Sequence, residues 1–102
     1  MEFDAILEAS PGESLPYEWD YSEEDVFAGS FPITSATVTK ADGTAVTGMT
    51  VDAPAIASPK VQTRFRAAAA GTYDLRCRAQ NSKAPQPDVR DLYLRIIYRV
   101  PS

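Results

Sequence analysis

Apolar and polar residues alternate one for one along most of this chain. Leu15, Tyr17, Trp19 and Tyr21 alternate with Glu18 and Asp20, and Val61, Thr63 and Phe65 with Gln62, Arg64 and Arg66. Tyr73, Leu75, Cys77 and Ala79 alternate with Asp74, Arg76, Arg78 and Gln80. In the last run, Leu92, Leu94, Ile96 and Tyr98 alternate with Tyr93, Arg95, Ile97 and Arg99. A strand sends successive side chains to opposite faces, so a period of two predicts half-buried strands and excludes amphipathic helices over these stretches. All eight prolines fall at or outside the ends of these expected strands, as a hydrogen-bonded ladder requires. Six or seven short strands in 102 residues predict one all-β domain, a sandwich or a barrel.

Between the alternating runs the signals are local. Residues 33–40, from Ile33 to Lys40, are rich in β-branched side chains, and Asp42-Gly43 follows as a tight turn. This predicts a hairpin with residues 44–51 returning to Val51. Residues 22–32 read as an acidic loop, with Ser22-Glu23-Glu24-Asp25, Gly29 and Pro32. Residues 52–60 read as an irregular connector and Ala67 to Ala70 as a turn. Residues 1–14 read as an extended N-terminal arm before a domain spanning 15–102. Phe3, Ile6 and Leu7 have helical spacing, but Pro11-Gly12 stops any helix after two turns, which is too short to stand alone. The arm is either a frayed end or an apolar hook that orders on a neighbouring subunit.

Charge changes sign once along the chain. Residues 1–25 hold nine acids and no Lys or Arg, whereas residues 60–102 hold nine bases and three acids. The arginines form pairs two residues apart: Arg64 and Arg66, Arg76 and Arg78. Arg95 and Arg99 share a parity on the last strand. The spacing predicts basic stripes over an apolar underside, suited to docking on a complementary surface or on further copies of the chain. The expected contacts are this basic face and the acidic segment from Glu13 to Asp25, which includes Glu18 and Asp20. Tyr93 and Ile97 join the arginine side of the last strand, an interface-like mixture. A net charge of −4 argues against indiscriminate nucleic-acid binding. The first residues carry no basic segment of the secretory type, and no apolar run reaches membrane-spanning length, so neither a leader nor a membrane partner is expected.

Catalytic chemistry has few candidates. Without histidine the usual general base and the commonest transition-metal ligand are missing. Cys77 is the single cysteine. It shares the parity of Tyr73 and Leu75 and reads as a small buried residue, so no disulfide, metal or cofactor site is expected. Glu18 and Asp20 could serve as paired carboxylates in glycoside cleavage, or form a solvated acidic edge, the favoured reading. Tyr17, Trp19 and Tyr21 could form a sugar-binding platform, but a row of this kind is more often core.

Two segments carry family signals. Gly71-Thr72-Tyr73-Asp74-Leu75-Arg76-Cys77 resembles the Gly-x-Tyr start of a late strand in immunoglobulin-like sandwiches, with Leu75 where the second disulfide cysteine would stand. With Tyr17-Glu18-Trp19-Asp20-Tyr21 it is also similar to polycystic-kidney-disease-type sandwiches, without their Gly-Asp-Gly turn. A closer resemblance covers roughly residues 11–100. It runs through Pro11-Gly12-Glu13, Leu15, Tyr17, Asp20-Tyr21-Ser22, Gly29 and Ile33-Thr34-Ser35-Ala36-Thr37-Val38. It continues with Asp42-Gly43, Val51, Ala70-Gly71-Thr72-Tyr73, Arg78 and Leu92-x-Leu94-x-Ile96. This order resembles small structural proteins of tailed bacteriophages, of the fiber–tail adaptor type. Val38 stands where that pattern has an aromatic. The resemblance implies a single all-β, immunoglobulin-like β-sandwich of about seven strands with an extended N-terminal arm. It implies a non-enzymatic virion part, present in several copies, that contacts a tail or neck ring protein and a tail fiber. It implies location in the particle's tail or neck, and in the host cytoplasm during assembly. A capsid-decorating or head–tail joining protein is the alternative within phages, and a carbohydrate-binding module the alternative outside them.

Overall fold

The structure is a computed structural model that describes residues 3–24, 32–83 and 85–100. Eight strands form in chain order: β1 (Ala5–Ala9), β2 (Ser14–Asp20), β3 (Ile33–Lys40), β4 (Thr50–Val51), β5 (Ala55–Ala57), β6 (Lys60–Arg66), β7 (Gly71–Asn81) and β8 (Val89–Tyr98). They make two sheets. The first has the order β1-β8-β7-β3; the second has β2-β6-β4, with β5 also paired to β6.

The alternating residues close the space between the sheets. Trp19, Val61 and Phe65 of the second sheet join Leu75, Cys77, Ala79, Leu94, Ile96 and Tyr98 of the first in one buried cluster. Trp19, Tyr21 and Tyr98 of the cluster carry polar tips that burial would penalise if unpaired, and the Tyr98 hydroxyl donates to the Glu13 carbonyl at 3.4 Å. The Trp19 Nε1–H donates to Thr63 Oγ1 at 3.0 Å, and the Tyr21 hydroxyl donates to the Cys77 carbonyl at 2.7 Å. The Tyr21 bond joins the end of β2 to β7 across the sandwich. Edge-on aromatic contacts extend the layer, Tyr17 on Trp19 at 5.0 Å and Tyr73 on Tyr98 at 5.9 Å. The all-β class and the two-sheet arrangement follow the two-residue period.

Three local expectations are corrected. Asp42-Gly43 does turn the chain: the Gly43 N–H donates to the Lys40 carbonyl, and Gly43 takes φ 91°, open to glycine at little cost. Yet no hairpin forms, because β3 pairs with β7 while β4 pairs with β6 in the other sheet. Turn chemistry is local, whereas the choice of sheet is made by distant partners. Residues 5–9, read as part of an arm, are an edge strand running parallel to β8, with Leu7 opposite Ile96. Leu7 packs against the core, so it is no free hook, and the helical spacing of Phe3, Ile6 and Leu7 is not realised. Pro16 lies inside β2 and not at its end. It is tolerated because β2 pairs only with β6 and keeps one edge open. Asp25 and Gly29 of the expected acidic loop lie outside the described residues.

Leu75 is 1% exposed at the centre of β7. Leu75→Ala is expected to lower unfolding stability by about 2–5 kcal/mol in urea titration. Ile6→Ala, at a side chain 60% exposed, should stay within about 0.5 kcal/mol.

Candidate functional site

The inner faces are filled, which leaves outer faces and edges for function. The expected basic face divides into two. Arg64 and Arg66 project from β6 on the outer side of the second sheet, together with Glu18 and Asp20 of β2, since Val61, Thr63 and Phe65 point inward. Arg76, Arg78, Arg95 and Arg99 project from β7 and β8 on the outer side of the first sheet, with Tyr93 and Ile97. The expected contact residues therefore lie on opposite sides of the sandwich.

Half of these eight charges are ion-paired within the chain among the described residues. Arg78 faces Asp91 across the β7–β8 ladder and grips it with two hydrogen bonds of 2.9 and 3.0 Å. Arg95 grips Asp74 the same way at 2.7 and 3.0 Å, and its guanidinium lies 4.5 Å above the Phe3 ring. Arg99 meets Glu8 at 3.0 Å, Lys60 meets Glu18 at 3.3 Å and Arg90 meets Glu24 at 3.9 Å. Acids of the first 25 residues thus bind bases of the last 43 inside one molecule. Glu8, Glu18 and Glu24 are thereby engaged within the molecule, so part of the sign change along the sequence serves the fold. Such exposed pairs add little stability each; what they favour is one register over another.

Arg76 is the exception on the first sheet. It stands opposite Tyr93 and Thr39 and makes no ion pair among the described residues. Its Nε is buried without a hydrogen-bond partner among the described residues, so Arg76 is less exposed than its alternation implies. Its guanidinium reaches over the turn after β3, where a Cβ on Gly43 would meet Nη2 at 3.2 Å. Tyr93 beside it is half-buried; Ile97 stands four residues further along β8, opposite Thr72, and the exposed Ile6 lies beyond β8 on β1. Backbone bonds at Asp4 hold this end of β1 to β8: the Asp4 N–H donates to the Tyr93 carbonyl, and the Tyr93 N–H donates to Asp4 Oδ2.

The other candidate chemistries meet a different geometry. Trp19 and Tyr21 are 0% exposed, so Tyr17, Trp19 and Tyr21 form no open platform for a sugar ring. Glu18 is held below the usual carboxylate range, first by its hydrogen bond from Gln62 and then by Lys60. Asp20 is lowered by its hydrogen bonds from Ser22. Both are stabilised as carboxylates, the reverse of the raised pKa a general acid needs. Burial pushes the Cys77 thiol up to about 11, which removes its nucleophilic form near neutral pH. Among the described residues no group of three or more Asp, Glu, Cys or His converges as a metal site would. Lys40, at the end of β3, is not among the expected contact residues, and nothing in its local sequence distinguishes it.

Neither a protein-family model nor a curated protein matches the chain.

Hydrogen bonds from Arg78 lower the Asp91 pKa below its ordinary 3.8. A carboxylate with a depressed folded pKa contributes stability that is present above the unfolded value and lost as pH falls through the folded one. Carboxyl-carbon NMR should therefore place the Asp91 midpoint below 3.8, and Arg78→Gln should move it upward. Separately, Cys77 should resist thiol reagents at pH 8 in the native protein and react fully in denaturant.

Proposed function

We propose that this chain is a non-enzymatic docking module of a tailed-bacteriophage particle, an adaptor that fastens tail fibers to the tail or neck. The observation that carries the docking part is Arg76. Among the described residues it is the guanidinium on the first sheet's outer face without a carboxylate, set opposite Tyr93. Arginine and tyrosine are among the residues that most often dominate binding energy. Their partly desolvated setting favours a partner that brings its own carboxylate. The ion pairs around Arg76 form a neutral rim that would exclude ill-matched charges without adding much affinity.

The virion part rests on the resemblance of residues 11–100 to fiber–tail adaptors. The strand order supports the immunoglobulin-like portion of that resemblance. β2 beside β6, and β3 beside β7 beside β8, pair as strands B–E and C–F–G do in immunoglobulin sandwiches. A tail or neck ring protein and a tail fiber are the partners in this reading, and several copies would sit on each particle.

Antibody raised against the chain and applied to purified virions should label the tail or neck. Label on the head would favour the decorating role instead, and virions without label would end the virion reading. Arg76→Glu should leave the thermal unfolding midpoint within a few degrees of the parent. It should weaken partner binding by ~30-fold or more in calorimetry, the size of a hot-spot loss. Arg64→Glu, on the other sheet, should leave binding unchanged.

A further inference from the structure

Three of the four sheet edges carry features that discourage another strand from adding. β2 holds Pro16, Glu18 and Asp20. β4 and β5 are two and three residues long. β1 is five residues long, with Glu8 on it and Asp4 just before it. β3 is different. From Ser35 to Thr39, between its bulge at Ile33/Ser35 and Lys40, it has neither proline nor charge.

The hydrogen bonds at the end of β3 show which backbone groups are open. The Lys40 N–H turns away from β7 and donates to the Thr44 carbonyl, while the Ala41 N–H donates to the Asp74 carbonyl of β7. In an antiparallel ladder these directions alternate residue by residue. The N–H and C=O of Ala36 and Val38 therefore point outward, and no loop backbone bonds to them among the described residues. Beside them runs an open depression of about 470 Å³, lined by Val38, Val46, Met49 and Val51 together with the polar Thr39 and Asp52. At the same end stand two cations without an ion pair among the described residues, Lys40 and Arg76.

We propose that the β3 edge accepts an extended, acidic segment of a partner protein as a further strand of the first sheet. Outward groups of Ala36 and Val38 bond its backbone, alternate apolar side chains enter the depression, and a carboxylate at one end meets Arg76 and Lys40. This is strand addition, in which backbone bonds supply affinity and the flanking groove supplies selection. The inference rests on the docking reading but not on the virion reading, so a negative result here leaves virion labelling unaffected.

The probe is a capped eight-residue peptide of alternating valine and threonine with two glutamates at one end, added to the isotope-labelled full chain. Backbone NMR should show the Ala36 and Val38 amides shifting and gaining protection from hydrogen exchange, while those of Ile6 and Glu8 stay as they were. The double variant Lys40→Glu with Arg76→Glu should bind this peptide roughly tenfold more weakly and prefer a counterpart carrying lysines. The proposal is overturned if millimolar peptide leaves Ala36 and Val38 unchanged, or if Ile6 and Glu8 respond equally. It is also overturned if those amides shift with protein concentration alone, which would make the occupant a second copy.

Discussion

A single layer of side chains lies between the two sheets, and the whole molecule depends on keeping it dry. Trp19, Phe65, Leu75, Leu94 and Ile96 fill it. The Tyr21 hydroxyl crosses it to reach the Cys77 carbonyl, so the layer is tied by a directed bond as well as by packing. Burying a large apolar side chain contributes about 1.5–3 kcal/mol, against a net stability for a small domain of about 5–15 kcal/mol. Few inward positions can therefore be diverted to other uses. This is why the aromatic row of β2 is structure, and why recognition falls to outer faces and edges.

That inner layer was the legible part of the sequence. Alternation assigns a side chain to one face of a strand without any knowledge of its neighbours, and Leu75, Cys77, Leu94 and Ile96 all sit where alternation puts them. Cross-strand partners are another matter. Whether Arg78 is free or clasped depends on whether Asp91 stands opposite, and that is a question of register. The same holds for Glu8 and Arg99, which meet only because the first strand lies parallel to the last. A chain with acids at one end and bases at the other looks ready for a second molecule. Here the two ends meet in part, and Arg76, without an ion pair among the described residues, is a cation that no composition count would single out.

Local signals misled in a consistent way. The turn at Asp42-Gly43 forms as its residues dictate, but the strand after it joins the opposite sheet, because β6 offers Thr50 and Val51 a ladder there. Ala5 to Ala9 has good helix formers in Ala, Leu and Glu. Five such residues gain little from a helix alone, whereas pairing with β8 satisfies their backbone and buries Leu7 against the core. In both cases a contact distant in sequence overrides a preference carried by a few neighbouring residues.

Recognition sites are usually sought among side chains, and by that measure β3 looks empty: serine, alanine, threonine and valine with one lysine at the end. An unpaired strand edge presents backbone groups that every sequence possesses, so composition cannot reveal it. It becomes visible when the four edges are compared. Proline, acidic residues or short length guard three of them, at some loss of regular pairing, while β3 keeps an uncharged run beside a depression floored in part by valine and methionine. Exposed edges of that kind promote uncontrolled association. A fold that guards three edges and leaves the fourth open therefore directs association to one place, and the unpaired cations at the end of β3 give that place a preferred charge.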